Sequence, residues 1–202
     1  MISALDAARA CQQAYDHADL AAGEARARVR ADGGVVLVAF QGTRDIRQAL
    51  DDLDCRPGFI AGVGYCHHGF AALAQGVLPG VKAVAASHPL PLVLSGHSLG
   101  GAIALLVGAM LARDGLAPSA LITFGAPRVS VGPAVGRVFR HAGPPPQLYR
   151  NGADVVPDLP PIFAHPADLI QIGAASDGLD AGERDHAIGT YVSALLTSGG
   201  LP

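Results

Sequence analysis

The sequence contains no tryptophan, only three cysteines, and no apolar run long enough to cross a bilayer. The cysteines, Cys11, Cys55 and Cys66, form neither a CxxC pair nor a zinc-ligand spacing, and an odd number argues against a complete disulfide framework. Free thiols are therefore expected; pairing of Cys55 with Cys66 would need an oxidising compartment and suitable geometry. The longest apolar stretch, Ala102 to Ala112, falls well short of the roughly 20 residues that span a membrane. It reads as a buried helix, and no transmembrane segment is expected. A block of one charge is also missing. Lys and Arg number 14 against 17 Asp and Glu, for a net charge of −3, which leaves no cationic stripe to follow a phosphate backbone and excludes nucleic acid as the expected partner. The first residues, Met1-Ile2-Ser3-Ala4-Leu5-Asp6, do not pair a cationic start with an apolar run. No signal peptide is expected, and the chain as written is expected in the cytoplasm, with signal-independent export as the other route.

What is present is aliphatic. Half of the 202 residues are hydrophobic, enough for a substantial core, and no repeat, low-complexity tract or linker divides the chain, so residues 1–202 are expected to form one domain. Ser3 followed by Asp6 has the form of a helix N-cap, with Ala4, Ala7, Ala8, Cys11 and Tyr15 on one face, predicting an opening helix of about four turns. Strands are predicted at Ala25–Arg30 and Val35–Gln41 around the turn Asp32-Gly33-Gly34, as a β-hairpin. Ile46, Ala49, Leu50 and Leu53 share helical spacing in a short amphipathic stretch. Gly69 to Ala86 is predicted helical, kinked or split at Pro79-Gly80. Beyond it come a strand at Leu92–Leu94, a helix over Ser98–Arg113 closed by Gly115, and a strand at Leu121–Phe124. Further strands at Gln147–Arg150 and Leu169–Ile172 and a final helix over Ala187–Leu196 complete the pattern. Strand, helix, strand in that order predicts an α/β fold with a mostly parallel central sheet and helices on both faces.

Gly96-His97-Ser98-Leu99-Gly100 lies between the apolar strand and the apolar helix. GxSxG in that setting is a sharp turn that holds a serine hydroxyl at a helix N-terminus, as in α/β-hydrolases, and the two glycines avoid backbone collisions. A serine hydroxyl needs an adjacent base, and the base needs an acid to orient it. On this fold the chain order is serine, acid, histidine, which leaves His165 and His186 as bases. Asp154 follows a predicted strand and is preferred as the acid, with Asp158 as fallback. His186 is preferred over His165 because it follows the last strand and so reaches the edge of the sheet that carries Ser98. His67 and His97 are read as core residues or neighbours of the site, and His17, His68, His88, His141 and His165 as solvated surface positions. No metal or cofactor is expected.

Several further segments agree with this reading. Phe40-Gln41-Gly42-Thr43, His67-His68-Gly69-Phe70, Gly96 to Gly101, Thr123-Phe124-Gly125-Ala126-Pro127-Arg128, Asp154-Val155-Val156-Pro157 and Asp185-His186 with Tyr191 together resemble the class 3 lipase family, the fungal-type triacylglycerol lipases, over nearly the whole chain. The resemblance implies the α/β-hydrolase fold, with Ser98 as nucleophile, Asp154 as acid and His186 as base. It also implies an oxyanion hole formed by the backbone N–H groups of Thr43 and Leu99, and a lid at about residues 44–54 that makes transient contact with lipid surfaces. Two positions depart from the family pattern. Gln41 stands where an arginine is usual, and Ala49 stands where the lid usually carries a tryptophan, which removes an interfacial anchor. The implied function is hydrolysis of lipid esters, acylglycerols first, with a short-chain carboxylesterase or phospholipase A1 as alternatives. A non-catalytic lipid-binding module and an acyltransferase using an alcohol in place of water are the readings from other classes.

Overall fold

A computed structural model of the protein describes residues 2–43 and 54–197. The candidate lid at about 44–54 therefore lies outside the described residues, except for Asp54.

The described elements are α1 (Ala4–Gln13), β1 (Leu20–Ala22), β2 (Ala25–Asp32), β3 (Val35–Phe40), β4 (Pro57–Ile60), β5 (Gly64–His67), α2 (His68–Ser87), β6 (Leu92–His97) and α3 (Leu99–Arg113), followed by β7 (Ala120–Phe124), α4 (Ala134–Ala142), β8 (Gln147–Asn151), a 3-10 turn (Val156–Asp158), β9 (Leu169–Ile172), α5 (Ala181–His186) and α6 (Ile188–Thr197). Seven strands form one sheet in the order β1-β2-β3-β6-β7-β8-β9, and β4 and β5 form a separate hairpin. From β3 to β9 every pair adjacent in the sheet is parallel, while β2 runs antiparallel to both β1 and β3. This mostly parallel sheet with helices on both faces is the α/β-hydrolase architecture.

Strand alternation explains the two layers. Val36, Val38 and Phe40 of β3, with Leu92 and Leu94 of β6, point into a core shared with α2, α3 and α4. Leu37, Ala39 and Val93 point the other way, into a core built with α1 and α6. Both faces are covered, so the central strands carry apolar residues at successive positions. Helix α3 is buried at every residue from Leu99 to Ala112, which accounts for its lack of a polar face. The turn between β2 and β3 consists of Gly33 and Gly34, both at positive φ (58° and 78°), the geometry that a two-residue hairpin loop requires.

Several elements differ from the sequence expectation. Helix α1 is capped by Ser3, whose Oγ accepts the Asp6 N–H at 3.1 Å, but it ends at Gln13, and Tyr15 lies in the turn beyond it. Pro79 does not split α2, which runs continuously through it. Proline costs that helix one hydrogen bond, which the apolar face of Phe70, Ala74, Val77 and Val81 packed in the core offsets. Contrary to the sequence expectation, α2 also has the length and composition of a bilayer span, with a mean hydropathy of 1.3 and 33% of that window buried in the fold. All three cysteines are free, Cys55 exposed and the other two buried.

Candidate active site

Strand β6 delivers the chain to a turn in which Ser98 takes φ 56° and ψ −127°, the only positive φ outside glycine among the described residues. The turn is closed by backbone contact. A side chain at Gly96 would run into the Gly100 carbonyl, and one at Gly100 into the Gln41 carbonyl. The Ser98 N–H donates to the Phe124 carbonyl at 2.9 Å, which ties the turn to β7. A strained backbone of this kind persists only where its surroundings over-determine it, as they do here.

The candidate acid and base lie beyond β8 and β9, on the far side of β7 from the serine turn. Strand β8 ends at Asn151, and Asp154 follows in a tight turn where its N–H donates to the Asn151 carbonyl at 2.9 Å. Helix α5, which follows β9, ends at His186. The structure brings these residues together with Ser98: His186 Nε2 lies 2.9 Å from Ser98 Oγ, and His186 Nδ1 lies 2.8 Å from Asp154 Oδ2. Asp154 is fully buried and accepts two more hydrogen bonds, from the Tyr191 hydroxyl at 2.6 Å and the Val156 N–H at 2.9 Å. With the acid accepting at Nδ1, the histidine carries its proton there and presents the Nε2 lone pair to the serine hydroxyl. Burial, then the Asp154 carboxylate, holds the Tyr191 phenol well above the ordinary tyrosine range, so it stays a donor.

Of the two amides assigned to an oxyanion hole, Leu99 opens α3, where first-turn N–H groups have no acceptor within the helix. Thr43 is the chain neighbour of Gly42, which packs so closely on the turn that an added Cβ would fall 2.8 Å from Ser98 Cβ. The alternatives lie elsewhere. Asp158 pairs with Arg128 at 3.3 Å and Arg150 at 3.1 Å, and His165 contacts the Pro157 carbonyl through Nε2 at 2.7 Å. His165, expected at a solvated surface position, is half-buried, and burial lowers its pKa.

Sequence reasoning missed three groups around this centre. The Asp185 carboxylate accepts the Ala153 N–H (2.7 Å), the Ser176 N–H (3.0 Å) and the Ser176 hydroxyl (2.5 Å), clamping the acid's loop to the base's helix. Burial pushes this carboxyl up, but the three donors outweigh it and hold its pKa below the ordinary value. Asn151 Nδ2 donates to the Asp185 carbonyl at 3.0 Å. Tyr15, read from sequence as one more apolar-face residue, bonds through its hydroxyl to His97 and to Gly42. Its signal was available, since a phenol at the end of an alanine-lined face needs a partner for its hydroxyl.

The model of the family "Lipase (class 3)" matches residues 37–164. A secreted mono- and diacylglycerol lipase of Fusarium solani is 33% identical over 137 residues, covering 63% of this chain and 40% of its own length. A Rhizopus niveus lipase is 33% identical over 148 residues, covering 65% of this chain and 37% of its own. The chain thus spans about two fifths of the length of these relatives. Among solved structures, the Rhizomucor miehei lipase propeptide complex superposes with a TM-score of 0.62 at 31% identity, covering 73% of this chain and 52% of that one. The match takes in the strand before Gly42, the serine turn and the loop of Asp154, and the chain belongs to the class 3 lipase family.

Proposed function

We propose that the protein is a serine carboxylic-ester hydrolase acting on lipid esters, acylglycerols first, through an acyl-enzyme. The observation that carries this reading is the continuous relay from Ser98 Oγ through the His186 ring to Asp154, at 2.9 and 2.8 Å. In the proposed reaction His186 Nε2 takes the hydroxyl proton as Ser98 Oγ attacks the ester carbonyl. The same proton then goes to the leaving alcohol as the carbon–oxygen bond breaks. Water, deprotonated by the same nitrogen, releases the acid. Asp154 stabilises the imidazolium, and the amides of Thr43 and Leu99 hold the oxyanion, each worth about 3 kcal/mol of transition-state stabilisation. None of these steps draws on a cofactor or a metal.

Acylglycerol as the substrate class is supported by the family and by the relative named as a mono- and diacylglycerol lipase. Val155, Leu159 and Ile162 follow the acid in the chain with exposed apolar side chains, which supports transient contact with a lipid surface. The segment at about 44–54 is the sequence-based candidate for a cover. A fluorophosphonate probe should label the wild type and not Ser98→Ala, and the substitution should lower ester hydrolysis by about 10⁶-fold. Unlabelled wild-type protein would instead favour a lipid-binding module. A p-nitrophenyl ester series from acetate to palmitate separates lipase from short-chain esterase, and excess alcohol tests for acyl transfer.

A further inference from the structure

Tyr15 and His97 stand outside the relay, yet they connect the backbone of Gly42, beside Ser98, to the backbone of His186. The Gly42 N–H donates to the Tyr15 hydroxyl oxygen at 3.0 Å, Tyr15 lies 2.8 Å from His97 Nδ1, and His97 Nε2 lies 2.7 Å from the His186 carbonyl. The end groups fix the direction of every bond. A carbonyl can only accept, so His97 Nε2 carries the ring proton. Nδ1 then holds the lone pair, and the Tyr15 O–H donates to it while its oxygen takes the amide proton of Gly42.

The far end of this chain meets a carbonyl that the helices leave outside their ladders. Helix α5 ends at His186 and α6 begins at Ile188, with Ala187 extended between them at φ −60° and ψ 134°. The preceding carbonyl, of Asp185, is taken by Asn151 Nδ2, whereas that of His186 is met by the ring of His97.

We propose that Tyr15 and His97 are positioning residues that set the distance between the Gly42–Thr43 segment and the His186 base. This rests on the ester-hydrolase reading above. Ser98 sits between those two segments, so attack and proton transfer both depend on a spacing that the relay itself does not fix. Misplacement of reacting groups by about 1 Å can cost a rate factor of about 10². The neutral state of His97 suits the task. Its ring centroid lies 4.9 Å from that of His186, where a second positive charge would oppose the imidazolium, and burial, then the charge of His186, pushes its pKa down to about 3.

The test is the turnover of p-nitrophenyl butyrate by Tyr15→Phe, His97→Gln, His97→Phe and the double variant Tyr15→Phe/His97→Phe. Tyr15→Phe should lower kcat about tenfold and His97→Phe about a hundredfold, each with KM changed by less than about twofold. His97→Gln keeps an amide donor for the His186 carbonyl and should fall between the two. The double variant should be no slower than His97→Phe, because one continuous chain can be cut only once. A lower Tm with kcat within about twofold of wild type in Tyr15→Phe would mark a purely structural role and overturn the proposal, as would multiplicative losses in the double variant. If His97→Phe does not fold, Tyr15→Phe and His97→Gln decide the matter. Wild-type protein that neither hydrolyses the ester nor takes the fluorophosphonate label would fail the ester-hydrolase reading itself. An active wild type matched by Tyr15→Phe would fail only this one.

Discussion

Replacing Tyr191 by phenylalanine removes one oxygen atom and tests how the buried acid is held. Asp154 has no exposed surface and takes three donors, of which the Tyr191 hydroxyl, at 2.6 Å, is the shortest contact. A hydrogen bond to a charged group contributes about 1.5–3 kcal/mol, and no water can reach the orphaned lone pair, so the variant should lose about 2 kcal/mol of stability at neutral pH. For a domain of this size that corresponds to a fall in Tm of about 4–8 °C. Catalysis should change far less than stability, because His186 and Val156 still hold the carboxylate. The loss should also depend on pH. The folded-state pKa of Tyr191 is raised well above 10, so its contribution is complete below the unfolded value and drains away as pH rises beyond it. The gap between wild type and variant should therefore close above about pH 10, by about 1.4 kcal/mol per pH unit. Tyr15 is raised in the same direction, but it is present in both proteins and cancels from the difference. Urea unfolding at pH 7.5 and at intervals up to pH 11 measures this. A gap under about 0.5 kcal/mol at neutral pH, or one that stays constant into alkali, would refute the reasoning.

Three other outcomes follow from the geometry. Gly125→Ala would place a methyl 2.7 Å from Asp154 Oδ2 and 2.9 Å from His186 Nδ1, at a positive φ of 59°, and should lower kcat by at least about 10² while Ser98 stays in place; near-normal turnover would contradict the acid–base contact. Asp185→Asn should destabilise the protein at neutral pH and flatten its acid limb. The depressed carboxyl of Asp185 contributes stability above its unfolded value and loses it as pH falls through the folded one, which melting curves from pH 7 to pH 3 would display. In native protein at pH 8 a thiol reagent should titrate Cys55 alone, because Cys11 and Cys66 are buried and burial pushes both thiols up to about 12. Denaturation should release all three.

The parts of the fold that sequence made legible are those where local pattern and tertiary demand coincide. The paired glycines at 33 and 34, the unbroken apolar run of α3 and the strand Leu169–Ile172 each carry their own signal. Strand β1 is three residues long and largely alanine, so its pairing partner β2 defines it more than its own propensity does. Helix α4 carries Gly136 in its interior, and α5 is only six residues long, too short to show a period. In the candidate site, the meeting of Ser98, Asp154 and His186 was readable because each stands in a motif with a fixed order. The groups that hold them were not. Asp185 bonds to Ser176 and Ala153, and Tyr15 to Gly42 and His97, across loops whose approach depends on the finished sheet.

The first helix faces the sheet with Ala4, Ala7, Ala8, Ala10 and Cys11 buried, four methyl groups and one small thiol. Methyl groups let a helix axis lie nearer its neighbour than leucines would, and that closeness brings the phenol just beyond the helix within reach of Gly42 and His97. The helix thus acts as a shim whose thickness is written in methyl groups. Each carbon added to its inner face would lift the end of the helix and draw the tyrosine oxygen away from both contacts, so bulk at residues 7 or 8 would be felt at a serine ninety residues further along.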